Sequence, residues 1–80
     1  MTREEVLAKV NEVICDVLDD EDITVTEATV SDDVEGWDSL THITIVGSVE
    51  AEFDIKFAMK DVAGMKNVGH MVDLIMEQLS

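Results

Sequence analysis

Apolar side chains recur at helical spacing through the first eighteen residues of the chain. They are Val6, Leu7, Val10, Val13, Ile14, Val17 and Leu18. Thr2 precedes them as a cap residue, and Glu5 three positions later completes a capping box. The acidic run at 19–22 ends the pattern, because negative charge opposes the dipole at a helix C-terminus. We therefore predict an amphipathic helix over residues 3–18.

The rest of the chain repeats this periodicity, which predicts three more helices. The second runs from Ser39 to about residue 53. Its apolar positions are Leu40, Ile43, Ile45, Val46, Val49 and Phe53. Residues 60–65 predict a short third helix, and Asn67 caps a fourth. The apolar side of that helix carries Val68, Met71, Val72, Ile75, Met76 and Leu79. The segment 23–26 alternates like a strand but is too short and isolated to pair.

A connection of about twenty residues, 19–38, joins the first two predicted helices. A loop of this length without structure is uncommon in a compact domain. It has no proline and one glycine, which argues against a flexible linker. Its apolar residues are spaced to fold back over the helices; they are Ile23, Val25, Val30, Val34 and Trp37. The prediction is an all-α fold, a small up-and-down four-helix bundle with three longer helices, one short third helix and a long ordered first loop, in a single domain over 1–80.

The charge of the chain restricts its partners. Nineteen acidic and five basic residues leave a net charge of −14, and none of the basic residues lies within 10–55. Such a chain repels nucleic acid and anionic membrane surfaces, so basic protein surfaces are the expected partners. The single cysteine, Cys15, cannot form an internal disulfide, and no signal peptide or membrane span is apparent. We therefore expect a monomeric, cytoplasmic protein that binds other proteins.

The segment 36–40, Gly-Trp-Asp-Ser-Leu, carries the candidate chemistry. Asp38 is a strong N-cap residue, so Ser39 falls in the first turn of the second helix. Unpaired N–H groups and the helix dipole favour a phosphate at that position. The hydroxyl is predicted to be accessible and anchored to a rigid element, which suits covalent modification through a phosphodiester. An ordinary helix start with an aspartate cap has the same local sequence. Residues outside this segment are therefore needed to distinguish a modification site from an ordinary helix start.

Together these features resemble the acyl carrier protein family. The segment 36–40 is similar to the family's attachment motif, and residues 49–55, Val-Glu-Ala-Glu-Phe-Asp-Ile, are similar to the end of its second helix. The resemblance implies a 4′-phosphopantetheine arm, derived from coenzyme A, on Ser39. It implies that a phosphopantetheinyl transferase recognises Asp38 and Leu40. It also implies a non-catalytic carrier that holds acyl intermediates as thioesters and shuttles them between enzymes of a biosynthetic pathway.

The surface beside the serine departs from the fatty-acid-synthesis members of that family. The acids that those members carry two and five residues after the serine are threonines here, and their large apolar residue eight positions on is a glycine. Positions 39, 43, 47 and 50 share one helical face. The predicted partner-recognition residues are Thr41, Ile43, Thr44, Gly47 and Glu50. This face predicts a carrier of a specialised pathway, served by acyl-activating, acyltransferase or synthase enzymes with basic docking surfaces.

Other functions remain open from the sequence. An aminoacyl or peptidyl carrier has the same fold and arm. An acidic, cation-responsive interaction module without a prosthetic group also fits the charge, although the clusters 19–22 and 32–35 lack the EF-hand pattern and no metal site is predicted. His42 lies three residues after Ser39, but a hydrolase would also need an orienting acid, an oxyanion hole and a substrate pocket. We expect His42 to pack near Trp37 instead.

Overall fold

The computed structural model describes residues 2–79, and the regular structure in this range is helical. The four helices described are α1 (Arg3–Leu18), α2 (Ser39–Phe53), α3 (Met59–Gly64) and α4 (Val68–Leu79). One 3-10 turn, Ser31–Asp33, lies within the long loop. The predicted all-α fold, with three longer helices and a short third one, is confirmed. Met1 and Ser80, the ends of the predicted domain, lie outside the described residues.

The ends of α1 show how local sequence sets the helix boundaries. At its start the predicted capping box is present: Thr2 Oγ1 accepts a hydrogen bond from Glu5 N at 3.2 Å, and Thr2 N donates to Glu5 Oε1 at 2.9 Å. At its end Asp19 adopts a left-handed conformation, with φ of 52°, and Asp20 N donates to Cys15 O at 3.0 Å. A backbone C-cap therefore ends α1, in addition to the charge of the acidic run. α3 lies one residue earlier than predicted at each end.

Three helices enclose the hydrophobic core, because α1, α2 and α4 each turn an apolar stripe inward. The buried apolar residues are Val6, Val10, Val13, Ile14, Val25, Ile45, Val46, Val49, Ile55, Val68, Met71, Val72 and Ile75. Helix α3 contributes no buried residue; Val62 only packs against the edge of this core. The short helix therefore lies beside the main packing rather than within it, next to the start of α2.

The long loop is held in place by the side chain of Asn11 on α1. Its Nδ2 donates to Ile23 O at 3.2 Å, and its Oδ1 accepts from Val25 N at 2.7 Å. The side-chain amide thus satisfies two backbone groups of the loop, as a neighbouring strand would. The same segment of the loop inserts the Val25 side chain into the core, where Val25 is 5% exposed. The loop is therefore an ordered part of the fold, as the spacing of its apolar residues predicted.

The start of α4 rests on the same loop. Val68 N donates to Thr29 O at 2.9 Å, and Gly69 N donates to Glu27 O at 2.8 Å, so two N–H groups that lack partners within the helix are satisfied. A Cβ atom on Gly69 would lie 2.8 Å from the Glu27 carbonyl oxygen. Only glycine permits this approach of the two backbones. The Asn67 side chain caps the helix as predicted, since its Oδ1 accepts a hydrogen bond from His70 N at 2.8 Å.

Candidate functional site

Ser39 is the first residue of α2 and lies inside a reciprocal cap. Asp38 Oδ1 accepts hydrogen bonds from Leu40 N and Thr41 N, each at 3.0 Å. In return, Thr41 Oγ1 accepts from Asp38 N at 2.7 Å and donates to Gly36 O at 3.0 Å. These bonds immobilise the residues on both sides of Ser39, whose own side chain is exposed. The local sequence therefore presents one hydroxyl on a rigid turn.

The chain reaches this cap through a tight turn that ends at Trp37. Gly36 has a φ of +90°, a conformation that residues with a side chain rarely adopt, and Trp37 N donates to Val34 O at 3.2 Å. The turn brings the half-buried Trp37 ring against the core. The glycine of the motif is therefore required by the backbone, and the tryptophan anchors the loop ahead of the cap.

His42 connects the loop, α2 and α3. Trp37 Nε1 donates to His42 Nδ1 at 3.2 Å, and the two rings stack with their centroids 6.0 Å apart. Because Nδ1 accepts this bond, the ring proton is on Nε2, which lies 3.3 Å from Val62 O and donates to it. The expected packing near Trp37 is confirmed. Both ring nitrogens are thus engaged away from Ser39, so the two residues do not form a nucleophile–base pair.

Hydrogen bonding sets the charge beside the serine. The backbone N–H of Thr41 lowers the pKa of Asp38 below its ordinary value of 3.8, and the Thr41 hydroxyl and the Leu40 N–H act in the same direction. Each of these donors favours the ionised carboxylate. Asp38 is therefore a charged cap at neutral pH, adjacent to Ser39.

Because the pKa of Asp38 is lowered in the folded state, its ionised carboxylate should stabilise the fold. Protonation of this carboxylate in acid should remove that stabilisation. The contribution is complete above the ordinary pKa near 4 and is lost as the pH falls through the lower folded-state value. Asp38→Asn keeps a cap acceptor but cannot titrate. In circular-dichroism melts we expect the Tm of the wild type to fall relative to that of Asp38→Asn as the pH is lowered from about 5 to about 2.5. A Tm difference that is constant over this range would contradict the prediction.

An open cavity of about 670 Å³ lies beside Ser39, between the start of α2 and α3. Its apolar walls include Ile43, Met59, Val62, Met65 and Met71. Polar groups at its margin include Ser31, Asp32, Lys66 and Asn67. Its volume lies in the range of small-molecule sites. An exposed hydroxyl on a rigid helix start, opening onto an apolar cavity, fits a flexible arm with an apolar cargo.

The apolar run of α2 divides between two faces. Ile45, Val46 and Val49 are buried in the core, whereas Leu40 is 77% and Ile43 is 64% exposed. The cause is the rotation of about 100° per residue, which places positions 40 and 43 well away from the core-facing stripe. The exposed pair lies beside Ser39, and Met59 of α3, 84% exposed, also lines the cavity there. Met59 was not among the predicted site residues; it stands one position before the predicted start of the third helix and is the first residue of α3 in the structure.

The five residues of the predicted partner face differ in their exposure to solvent. Three of its five residues are exposed on α2; these are Ile43, Thr44 and Gly47. Thr41 is half-buried, with its hydroxyl bound into the cap. Glu50 is also half-buried, and its Oε2 accepts a hydrogen bond from Phe57 N at 2.8 Å. Thr41 and Glu50 therefore stabilise the two ends of α2, and the exposed residues of the predicted face are uncharged.

Within residues 2–79, no three His, Cys, Asp or Glu side chains form a group that could hold a metal ion. Of the helices in the described part of the chain, none is long and apolar enough to cross a membrane.

Comparison with known proteins agrees with this geometry. The family model described as "phosphopantetheine attachment site" matches residues 8–75. The acyl carrier protein of Petrotoga mobilis is 33% identical over 81 residues, covering 100% of this chain and 94% of the relative. That of Thermotoga maritima is 33% identical over 78 residues, covering 98% and 96%. The solution structure of the holo acyl carrier protein from Geobacter metallireducens superimposes with a TM-score of 0.86 at 35% identity, covering 92% of this chain and 85% of that one. The chain therefore belongs to the acyl carrier protein family and carries acyl groups on a 4′-phosphopantetheine arm.

Proposed function

We propose that the arm is attached to Ser39, as a phosphodiester on its Oγ. The observation that supports this site is the exposed hydroxyl at the first position of α2, held by the cap of Asp38 and Thr41 and open to the cavity. When attached, the arm supplies a thiol that holds the acyl group as a thioester. The chain itself provides the attachment point, the cavity beside it and a surface for docking.

The other residues of the motif hold and present the serine. Asp38 keeps the turn closed by accepting two backbone N–H groups. Leu40 is largely exposed next to Ser39, where a phosphopantetheinyl transferase can contact it. The two nitrogens of His42 are engaged by Trp37 and Val62, which supports a role of Ser39 as the substrate of that transferase and not as a nucleophile activated by His42. We therefore propose that the chain contributes no catalytic group of its own.

Intact-mass spectrometry tests the function directly. Apo-protein incubated with coenzyme A and a broad-range phosphopantetheinyl transferase should gain the mass of one phosphopantetheine. The product should then accept an acyl group that hydroxylamine removes, because a thioester is cleaved by this nucleophile. An acidic interaction module without a prosthetic group would show neither mass change, and that result would refute the carrier function.

The partners we propose are acyl-activating, acyltransferase or synthase enzymes with basic docking surfaces, in the cytoplasm. Fourteen acids and no Lys or Arg lie within residues 10–55, the stretch that contains the loop and α2. A field of this sign steers basic surfaces toward the serine and accelerates encounter. Weak, rapidly reversible binding of this kind suits a carrier that visits several enzymes in turn.

We further propose that this carrier serves a specialised pathway. The exposed residues beside Ser39 on α2 are Leu40, Ile43, Thr44 and Gly47, and none of them is charged. Enzymes of primary fatty-acid synthesis that recognise acids at the start of this helix would lack those contacts here. The exposed apolar pair, Leu40 and Ile43, instead suits a partner with an apolar rim around its active-site entrance.

Introducing an acidic residue on this face of α2 should improve docking to the enzymes of primary fatty-acid synthesis. Thr44 is exposed, and Thr44→Glu leaves the cap of Asp38 and Thr41 intact. With a ketosynthase or acyltransferase of primary fatty-acid synthesis, we expect kcat/KM to rise about two- to fivefold at low ionic strength and the gain to vanish at high salt. Thr24→Glu, at an exposed position in the loop, is the matched control. Equal gains for both variants, or none for Thr44→Glu, would contradict the role of this face.

A further inference from the structure

We infer that Lys66 is the counter-charge for the phosphodiester on Ser39. The inference rests on the proposed attachment of the arm at Ser39. Both residues line the 670 Å³ cavity between α2 and α3. Among residues 2–79, Lys66 is the one Lys or Arg on its walls. A phosphate on Ser39 would therefore adjoin a cavity with one lysine side chain on its walls.

The starts of the longer helices α2 and α4 open onto the same cavity. Ser39 begins α2, and Lys66 precedes Asn67, the cap residue of α4, which also lines the cavity. The N-terminal ends of helices carry partial positive charge and favour anions. Lys66 thus adds a full positive charge to a region that the backbone already makes favourable for a phosphate.

The cavity also needs a counter-charge once the phosphate is present. Asp32 and Asp38 line it, and the Asp38 cap holds its carboxyl in the ionised form. A phosphodiester adds about one more negative charge to a chain whose net charge is already −14. Repulsion from the two carboxylates would drive the phosphate toward solvent. The Lys66 ammonium offsets this repulsion, since opposite charges attract at short range.

Lys66 is available for this role because it forms no ion pair with the described residues. By contrast, Arg3 is paired with Glu27 and Asp73, and Lys9 is paired with acids on both α1 and α2. The Lys66 side chain is exposed in the connection between α3 and α4, so it can turn toward Ser39 without breaking an ion pair with the described residues.

The experiment is a thermodynamic cycle between the arm and the lysine. Apo- and unacylated holo-protein are prepared for the wild type, Lys66→Gln and Lys60→Gln, and their Tm values are measured at low and at high salt. Lys60 is an exposed lysine of α3 outside the cavity, so it is the matched control. The expected result is that the holo-minus-apo shift in Tm is lower in Lys66→Gln than in the wild type by about 2–5 °C, and that high salt removes the difference.

Phosphorus-31 NMR of the same holo samples gives a local readout. The phosphodiester resonance should move in Lys66→Gln and stay at its wild-type position in Lys60→Gln. Because no acyl group is loaded, an effect of Lys66 on cargo cannot produce this result. Equal Tm shifts in the two variants, together with an unmoved resonance, would overturn the role of Lys66 alone. A wild-type protein that gains no phosphopantetheine on Ser39 would overturn both this inference and the proposed attachment.

Discussion

Ser39→Ala is expected to abolish phosphopantetheine attachment completely, while Ser31→Ala and Ser48→Ala are modified like the wild type. Oγ of Ser39 belongs to an exposed residue at the start of α2, whereas the Thr41 hydroxyl is bound into the cap. Ser31 is the stringent control, because it is exposed and lines the same cavity. Intact-mass spectrometry after incubation with coenzyme A and transferase measures the outcome.

The Ser39→Ala variant should remain folded, so that loss of modification reports on chemistry. Ser39 is exposed, and no hydrogen bond of the cap uses its side chain. The change in the free energy of unfolding should therefore stay within about 0.5 kcal/mol, as is usual at exposed positions. A folded Ser39→Ala protein that still gains mass, or loss of modification in Ser31→Ala, would place the arm on a different residue.

Gly69→Ala is expected to cause the largest loss of stability of the substitutions considered. The added Cβ would lie 2.8 Å from Glu27 O and 3.1 Å from Glu27 Cβ, so the start of α4 and the loop must separate. That movement also breaks the hydrogen bond from Gly69 N to Glu27 O, 2.8 Å long. Together these effects should cost about 2–4 kcal/mol and lower the Tm by roughly 10–25 °C.

Gly47→Ala is the matched control, since it makes the same substitution inside a helix where space is free. No atom lies within 4 Å of a Cβ built on Gly47, which is exposed on α2. Alanine restricts the unfolded chain and favours helix, so Gly47→Ala should raise stability by about 0.5–1 kcal/mol. Thermal melts of the two variants should therefore move in opposite directions. A Gly69→Ala protein as stable as the wild type would show that the loop and α4 do not need this close approach.

The features that could be predicted from the sequence are those that nearby residues determine. The periodicity of apolar residues located the helices to within about one residue, and the Thr2–Glu5 box fixed the start of α1. The cap of Asp38 involves residues at most five positions apart, so the exposed turn around Ser39 also follows from local preferences. A local rule suffices here because the interacting groups are neighbours along the chain.

The features that only the tertiary structure decided involve residues far apart in sequence. Asn11 was not predicted to hold the loop, because its partners Ile23 and Val25 come twelve and fourteen positions later. The requirement for Gly69 depends on the Glu27 carbonyl, forty-two positions earlier, and is equally invisible to a local pattern.

The orientation of α2 shows the same division. Its apolar residues point in most directions around the helix. The predicted partner face already included Ile43, and the structure buries Ile45, Val46 and Val49 in the core while it leaves Leu40 and Ile43 exposed. Local sequence thus determined the helices of this carrier and the turn that presents Ser39. The packing of distant segments decided which residues of the loop, α3 and α4 line the cavity beside that serine, because these segments meet α2 only in the folded chain.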